Sequence, residues 1–118
     1  MKRITLLVAL LACALGGCTI AQRGGIDLAY RAYNKKDYAT ALRKLAEAEK
    51  FRETSPALKA EIAYLRAKSY EGLGNTAEAI GCYRYVATQF PDSQYAFMAK
   101  EKVKELEQRP PAPPAAQP

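Results

Sequence analysis

From Ile26 to Gln108, apolar side chains return every three or four positions, the spacing of helices that each bury one face. The pattern predicts five helices, over 26–35, 38–52, 56–72, 76–90 and 94–108, and an all-α fold. The breaks between them carry stop and start chemistry. Ser55-Pro56 reads as an N-cap followed by Pro at the first helical position, where a missing N–H does no harm. Gly72 and Gly74 offer the left-handed or flexible backbone of a tight corner. Asn75-Thr76-Ala77-Glu78 has the form of a capping box, with Glu78 reaching back to the cap. Pro91 ends the fourth helix, and Asp92 or Ser93 caps the fifth. That fifth helix offers Ala96, Ala99, Val103 and Leu106 inward and keeps Lys100, Glu101, Lys104 and Glu105 outside.

The chain also repeats itself. Lys36-Asp37-Tyr38-Ala39-Thr40-Ala41-Leu42 aligns with Gly74-Asn75-Thr76-Ala77-Glu78-Ala79-Ile80, a shift of 38 residues from Ala41 to Ala79. Leu45 and Ala48 then correspond to Tyr83 and Val86, and Ala29 to Ala67. Ala29, Ala41, Ala67 and Ala79 are small enough to let helix axes approach, and Tyr70 and Tyr83 fill the space beside them. On these residues the chain resembles the tetratricopeptide repeat (TPR), a helix–turn–helix unit of about 34 residues. The second copy is the fuller one. Its Ala67, Tyr70, Gly74, Ala79, Tyr83 and Pro91 stand where the family has small, aromatic, turn, small, aromatic and terminating residues. In the first copy Lys36 replaces the turn Gly and Glu53 the terminal Pro, and four residues, Arg52-Glu53-Thr54-Ser55, lengthen the connection. The resemblance implies two repeats plus a C-terminal capping helix over 26–108, wound as an α-α superhelix. A plain antiparallel five-helix bundle is the other arrangement that the periodicity allows. So short a stack is expected to be a modestly stable monomer, or to gain stability from self-association or a partner.

Upstream of the repeats the pattern changes. Lys2 and Arg3 precede about a dozen nearly unbroken apolar residues, Ile4 to Leu15, too few to cross a bilayer, which takes roughly 20. This is the build of an export signal. Leu15-Gly16-Gly17-Cys18 resembles the lipobox of bacterial lipoproteins, with Gly16 where Ala or Ser is more usual. An ordinary secretory signal with a Cys at its end is the other reading. The lipoprotein resemblance implies a signal peptide over 1–17 that is cleaved, a diacylglyceryl group on the Cys18 sulfur, and a lipid anchor in a bacterial envelope. Thr19 after the Cys implies delivery to the outer membrane, facing the periplasm. Residues 18–25 are expected to be a lipidated tether, and 109–118, rich in Pro and Ala, a disordered tail with polyproline character.

Loss of Lys2 and Arg3 would take the formal net charge from +6 to +4. That excess sits in the first repeat. Residues 19–59 hold nine basic and five acidic side chains, and 60–118 seven of each. Attraction to anionic headgroups or to acidic envelope polymer is one consequence, and an ordinary solvated face is the other reading. Export removes the usual nucleic-acid target, so no nucleic-acid partner is expected.

Chemistry is sparse. With no His, the chain lacks the ordinary general base near neutral pH and a common zinc ligand. Cys82 would be the one thiol left in the mature chain, with no His to activate it. Glu47 and Glu49 are two apart on a helix and point different ways. No catalytic residue, metal site or cofactor is expected. The repeat family instead lines a concave groove with the first helix of each pair. Carried over, those positions are Ile26, Tyr30, Tyr33 and Asn34, then Glu61, Tyr64, Lys68 and Glu71, then Tyr95, Met98 and Lys102. Tyr30, Tyr33, Tyr64 and Tyr95 either line this groove or fill the small core. The resemblance implies a membrane-anchored, non-enzymatic adaptor that presents the groove to a protein or peptide partner in the envelope. The alternative is a structural lipoprotein whose cavity holds a small ligand or glycan.

Overall fold

The computed structural model describes residues 2–51 and 55–110, apart from the side chains of Arg3, Leu6, Leu7 and 9–21. Its five helices are α1 (Lys2–Asn34), α2 (Tyr38–Glu49), α3 (Pro56–Gly72), α4 (Thr76–Gln89) and α5 (Gln94–Gln108). No strand occurs among the described residues. The fold is all-α. Four helix starts coincide with those expected, and α2 stops at Glu49 rather than at residue 52.

The largest difference lies upstream. The first helix begins at Lys2 and not at Ile26, so residues 18–25, expected as a tether, continue α1. Gln22 is buried there, and its Nε2 donates to the carbonyl of Ala48 at 3.2 Å. This bond fastens α1 to the end of α2. Ile4 and Val8, further upstream, are widely exposed. The tail residues 111–118 and the connection 52–54 lie outside the described residues.

Consecutive helices pack as neighbours. Across one face α1 touches α3 and α3 touches α5, whereas α2 and α4 form the opposite layer without touching each other among the described residues. The central helix, α3, is apolar around most of its circumference. It turns Ile62 and Leu65 toward α1 and α2, where Ile26, Ala29, Leu45 and Ala48 are buried. Toward α4 and α5 it turns Ala63, Tyr64 and Ala67, against Ala79, Tyr83, Val86, Ala99 and Leu106. All four alanines of the repeat are fully buried. Removing a side chain the size of Leu45 from such a core costs about 2–5 kcal/mol.

Both hairpin corners share one backbone pattern. Lys36 N–H donates to the Tyr33 carbonyl at 2.9 Å and Asp37 N–H to the Ala32 carbonyl at 2.9 Å. Thirty-eight residues on, Gly74 N–H donates to Glu71 at 3.0 Å and Asn75 N–H to Tyr70 at 2.9 Å. These bonds close the helix carbonyls left open at a C-terminus. The residue that makes the turn has φ +61° at Lys36 and +78° at Gly74.

Two local expectations are corrected. Gly72 does not make the corner; it is the last residue of α3, and a Cβ there would stand 2.5 Å from the Tyr38 ring. Its missing side chain lets Tyr38 seat between the hairpins. Glu78 does not reach back to Asn75, because the Asn75 N–H already serves Tyr70, and Asn75 makes no side-chain cap. Elsewhere Ser55 caps α3 through the Leu58 N–H, ahead of Pro56, and Ser93 rather than Asp92 caps α5 through the Ala96 N–H.

Candidate functional site

The face along which α1, α3 and α5 meet gathers most of the polar and aromatic residues that sequence reasoning singled out. Tyr30 and Tyr33 descend from α1, Glu61, Tyr64, Lys68 and Glu71 from α3, and Tyr95, Met98 and Lys102 from α5. Helical spacing explains the set: positions three or four apart share a face.

They do not all line an open surface. Tyr64 is a correction, being 6% exposed and stacked between two other rings. Its centroid is 5.5 Å from that of Tyr83 and 5.3 Å from that of Tyr95. Ile26 is likewise core. Tyr30, Tyr33 and Tyr95 are half-buried, each resting its ring on the core and keeping an edge toward solvent. Asn34 and Met98 are exposed.

Two hydrogen-bonded clusters hold the floor. In the first, the Tyr30 hydroxyl donates to Glu61 Oε1 at 3.1 Å. Burial, and next the Glu61 carboxylate, hold the Tyr30 phenol well above its ordinary pKa. In the second, the Tyr83 hydroxyl donates to Glu71 Oε2 at 2.8 Å, and Lys102 Nζ donates to Glu71 Oε1 at 3.1 Å and to Glu105 at 3.1 Å. Tyr83 is pushed up strongly, by burial first and then by its bond to Glu71. Burial works against the Lys102 charge, but its two carboxylate partners outweigh it and hold the ammonium above its ordinary value. Glu71 thus joins α3, α4 and α5 through one carboxylate. Position alone marked Glu71 and Lys102 as groove residues; their partnership could be seen only once the helices were placed.

Lys68 differs. Its Nζ stands 4.7 Å from the Tyr33 ring centroid, a cation–π distance, and it forms no ion pair among the described residues. Tyr33 in turn meets Tyr38 edge-on at 5.4 Å. Toward the start of α3 the face opens into a groove of about 330 Å³, lined by Gln22, Arg23, Leu58, Glu61, Gln94 and Tyr95 among others. Ring edges, one unpaired ammonium, a thioether and fixed carboxylates suit non-covalent contact with an extended polar–apolar segment. Among the described residues no three acidic or thiol groups converge as a metal site. The Cys82 thiol is raised by burial, the opposite of an activated nucleophile.

Comparison with protein-family models, with curated proteins and with solved structures finds no match for this chain. No helix among the described residues is long and apolar enough to cross a membrane.

Proposed function

We propose that this chain is a membrane-anchored, non-enzymatic adaptor of the bacterial envelope. Its anchor is a lipid on Cys18, its helices are two TPR-like repeats with α5 as cap, and its docking face runs over α1, α3 and α5. The observation that carries this reading is the pair of hairpins in one 38-residue register, with matching corner bonds and a shared face of tyrosines. Such a face has rigid, half-buried rings that lose little freedom on binding, which suits protein contact. The groove at the start of α3 is open, and Met98 and Asn34 elsewhere on the same helices are in solvent, which favours this over an enclosed ligand cavity.

The anchor reading is supported by where the core begins. Gln22 is the first buried side chain described, and those described before it are exposed. Cleavage before Cys18 would therefore remove no described core residue. Delivery to the periplasmic face of the outer membrane belongs to the same proposal and rests on Thr19.

Site-specific photo-crosslinking in the native host tests the docking face. Crosslinkers at Tyr33 and Met98 should capture one protein species, and those at Arg84 and Tyr85 on the opposite layer should not. Capture that is the same from both layers, or unaffected by Lys68→Ala, rejects the face. The mass of the N-terminal peptide from host membranes tests the anchor, and an unmodified Cys18 rejects it.

A further inference from the structure

We propose that the end of the domain where α1 enters the core, carrying Arg23, Lys59 and, beside Phe51, Lys50, docks on anionic phospholipid headgroups. The proposal takes its setting from the lipid anchor proposed above, but not its test. Because α1 is unbroken from Lys2 to Asn34, the four residues from Cys18 to Gln22 advance only about 6 Å along the axis. Gln22 is then bonded to Ala48, so no slack remains between the anchor and the core. An anchored chain would hold this end within about one Debye length, roughly 8 Å, of the headgroups.

The chemistry of that end suits such a surface. One groove brings Arg23 beside Ser55, Leu58 and Gln94, and another brings Lys50 and Phe51 beside Gly24 and Gly25. Lys59 follows Leu58 in the first turn of α3. All three cations are exposed and form no ion pair among the described residues. Nearby carboxylates are mostly engaged: Glu61 by Tyr30, Glu49 by Arg66 and Glu47 by Lys44. Glu61 keeps its charge beside a neutral phenol and counts with Asp27 and Asp92. With Arg31, which lines the same groove as Lys50, four cations without an ion pair among the described residues face three carboxylates, so the end is weakly basic. Docking here would cover the groove at the start of α3 and leave the rest of the α1, α3, α5 face, around Tyr33, Lys68 and Lys102, open sideways to a partner.

The test uses the chain from residue 18 with Cys18→Ser, which keeps every described buried side chain. It should bind vesicles containing about a third phosphatidylglycerol and ignore pure phosphatidylcholine, with binding that weakens as salt rises. Each cation near such a surface contributes roughly fivefold, so Arg23→Gln, Lys50→Gln and Lys59→Gln together should weaken binding on the order of 100-fold. An equal charge change at the far end, Lys35→Gln, Lys36→Asn and Arg109→Gln, should weaken it much less. Equal losses from the two sets, or no preference for anionic vesicles, overturn the proposal. Since the chain has no Trp, Phe51→Trp and Leu73→Trp report the two ends separately in the otherwise unaltered chain. A fluorescence blue shift on anionic vesicles should appear only for Phe51→Trp, and a shift only for Leu73→Trp overturns the orientation. An unacylated Cys18 in the host with vesicle binding intact removes the anchor alone; acylation without vesicle binding removes this docking alone.

Discussion

The two hairpins, α1–α2 and α3–α4, reach the same corner from different residues. Four alanines, Ala29 and Ala41 in one and Ala67 and Ala79 in the other, are fully buried and hold the same register. Around them the fillers diverge: Ile26, Leu45 and Ala48 in the first, Tyr64, Tyr83 and Val86 in the second. The turn residue is Lys36 in one and Gly74 in the other, yet both have positive φ and follow the same backbone bonds. The lesson is that alanine-sized gaps and closed carbonyls set the hairpin geometry. The filler and the turn residue set how stable each hairpin is.

The largest contrast should come from the fillers at matching positions. Tyr83→Ala removes a fully buried ring and its bond to Glu71, and should cost about 3–5 kcal/mol, measured by urea unfolding. Leu45→Ala should cost about 2–5 kcal/mol, nearer the lower end because the aliphatic pocket has no polar group to orphan. Tyr83→Phe keeps the ring and should cost only about 1 kcal/mol, since Lys102 still serves Glu71. A Leu45→Ala cost well above that of Tyr83→Ala would invert the comparison.

The same tyrosines predict an alkaline limit. Tyr83 and Tyr30 are held above the ordinary phenol value in the folded chain, so their protonated forms stabilise it. That stability is complete below the unfolded pKa of about 10 and is lost as pH rises through the folded value. In a spectroscopic titration these two should ionise only with loss of helix. Tyr83→Phe should show a shallower alkaline decline, and a decline unchanged by that substitution would place the effect elsewhere.

The corners offer a smaller and opposite-signed contrast. An L-residue in left-handed backbone bears roughly 1–2 kcal/mol of strain, and glycine loses part of that advantage through the unfolded chain. Lys36→Gly should therefore stabilise the first hairpin by about 0.5–1 kcal/mol, raising Tm by a few degrees. Gly74→Lys should destabilise the second by a similar amount. If both substitutions lower Tm, the corner is not the strained element that φ +61° at Lys36 indicates.

How much of this was legible before the helices were placed depends on range. Helix existence, the Ser55-Pro56 start and the Pro91 stop are local matters, and α2 to α5 begin where periodicity put them, whereas α1 begins far upstream. The four alanines were also legible, because burial at a fixed register repeats. Gly72 was misjudged since a glycine near a corner looks like a turn, and only the Tyr38 ring beside it reveals a packing role. Residues 18–25, expected as a tether between lipid and domain, are instead helical. Nothing local shows that Gln22 finds the Ala48 carbonyl twenty-six residues away. At the candidate site, helical spacing put the tyrosines on one face but could not divide them. Tyr64 became core because α3 is central and covered by helices on both of its apolar flanks.

The finest distinction between the hairpins lies at their second helix starts. Asp37 accepts a hydrogen bond from the Thr40 N–H at 3.2 Å, whereas Asn75, at the matching position, makes no side-chain cap. Asp37→Ala should thus lower Tm detectably near neutral pH, and Asn75→Ala should barely move it. The Asp37 carboxyl is held below its ordinary value, chiefly by its bonds to Thr40. A depressed carboxyl stabilises the fold fully above its unfolded pKa, near 4, and the contribution fades as pH falls through the folded value. The Tm gap between the native chain and Asp37→Ala should therefore be widest above that range and close in acid. Asp37→Asn, which can accept the same bond without titrating, should show no such acid closure. If the gap persists unchanged well below pH ~3, the ionised carboxylate is not what holds the start of α2, and the two hairpins differ there in name only.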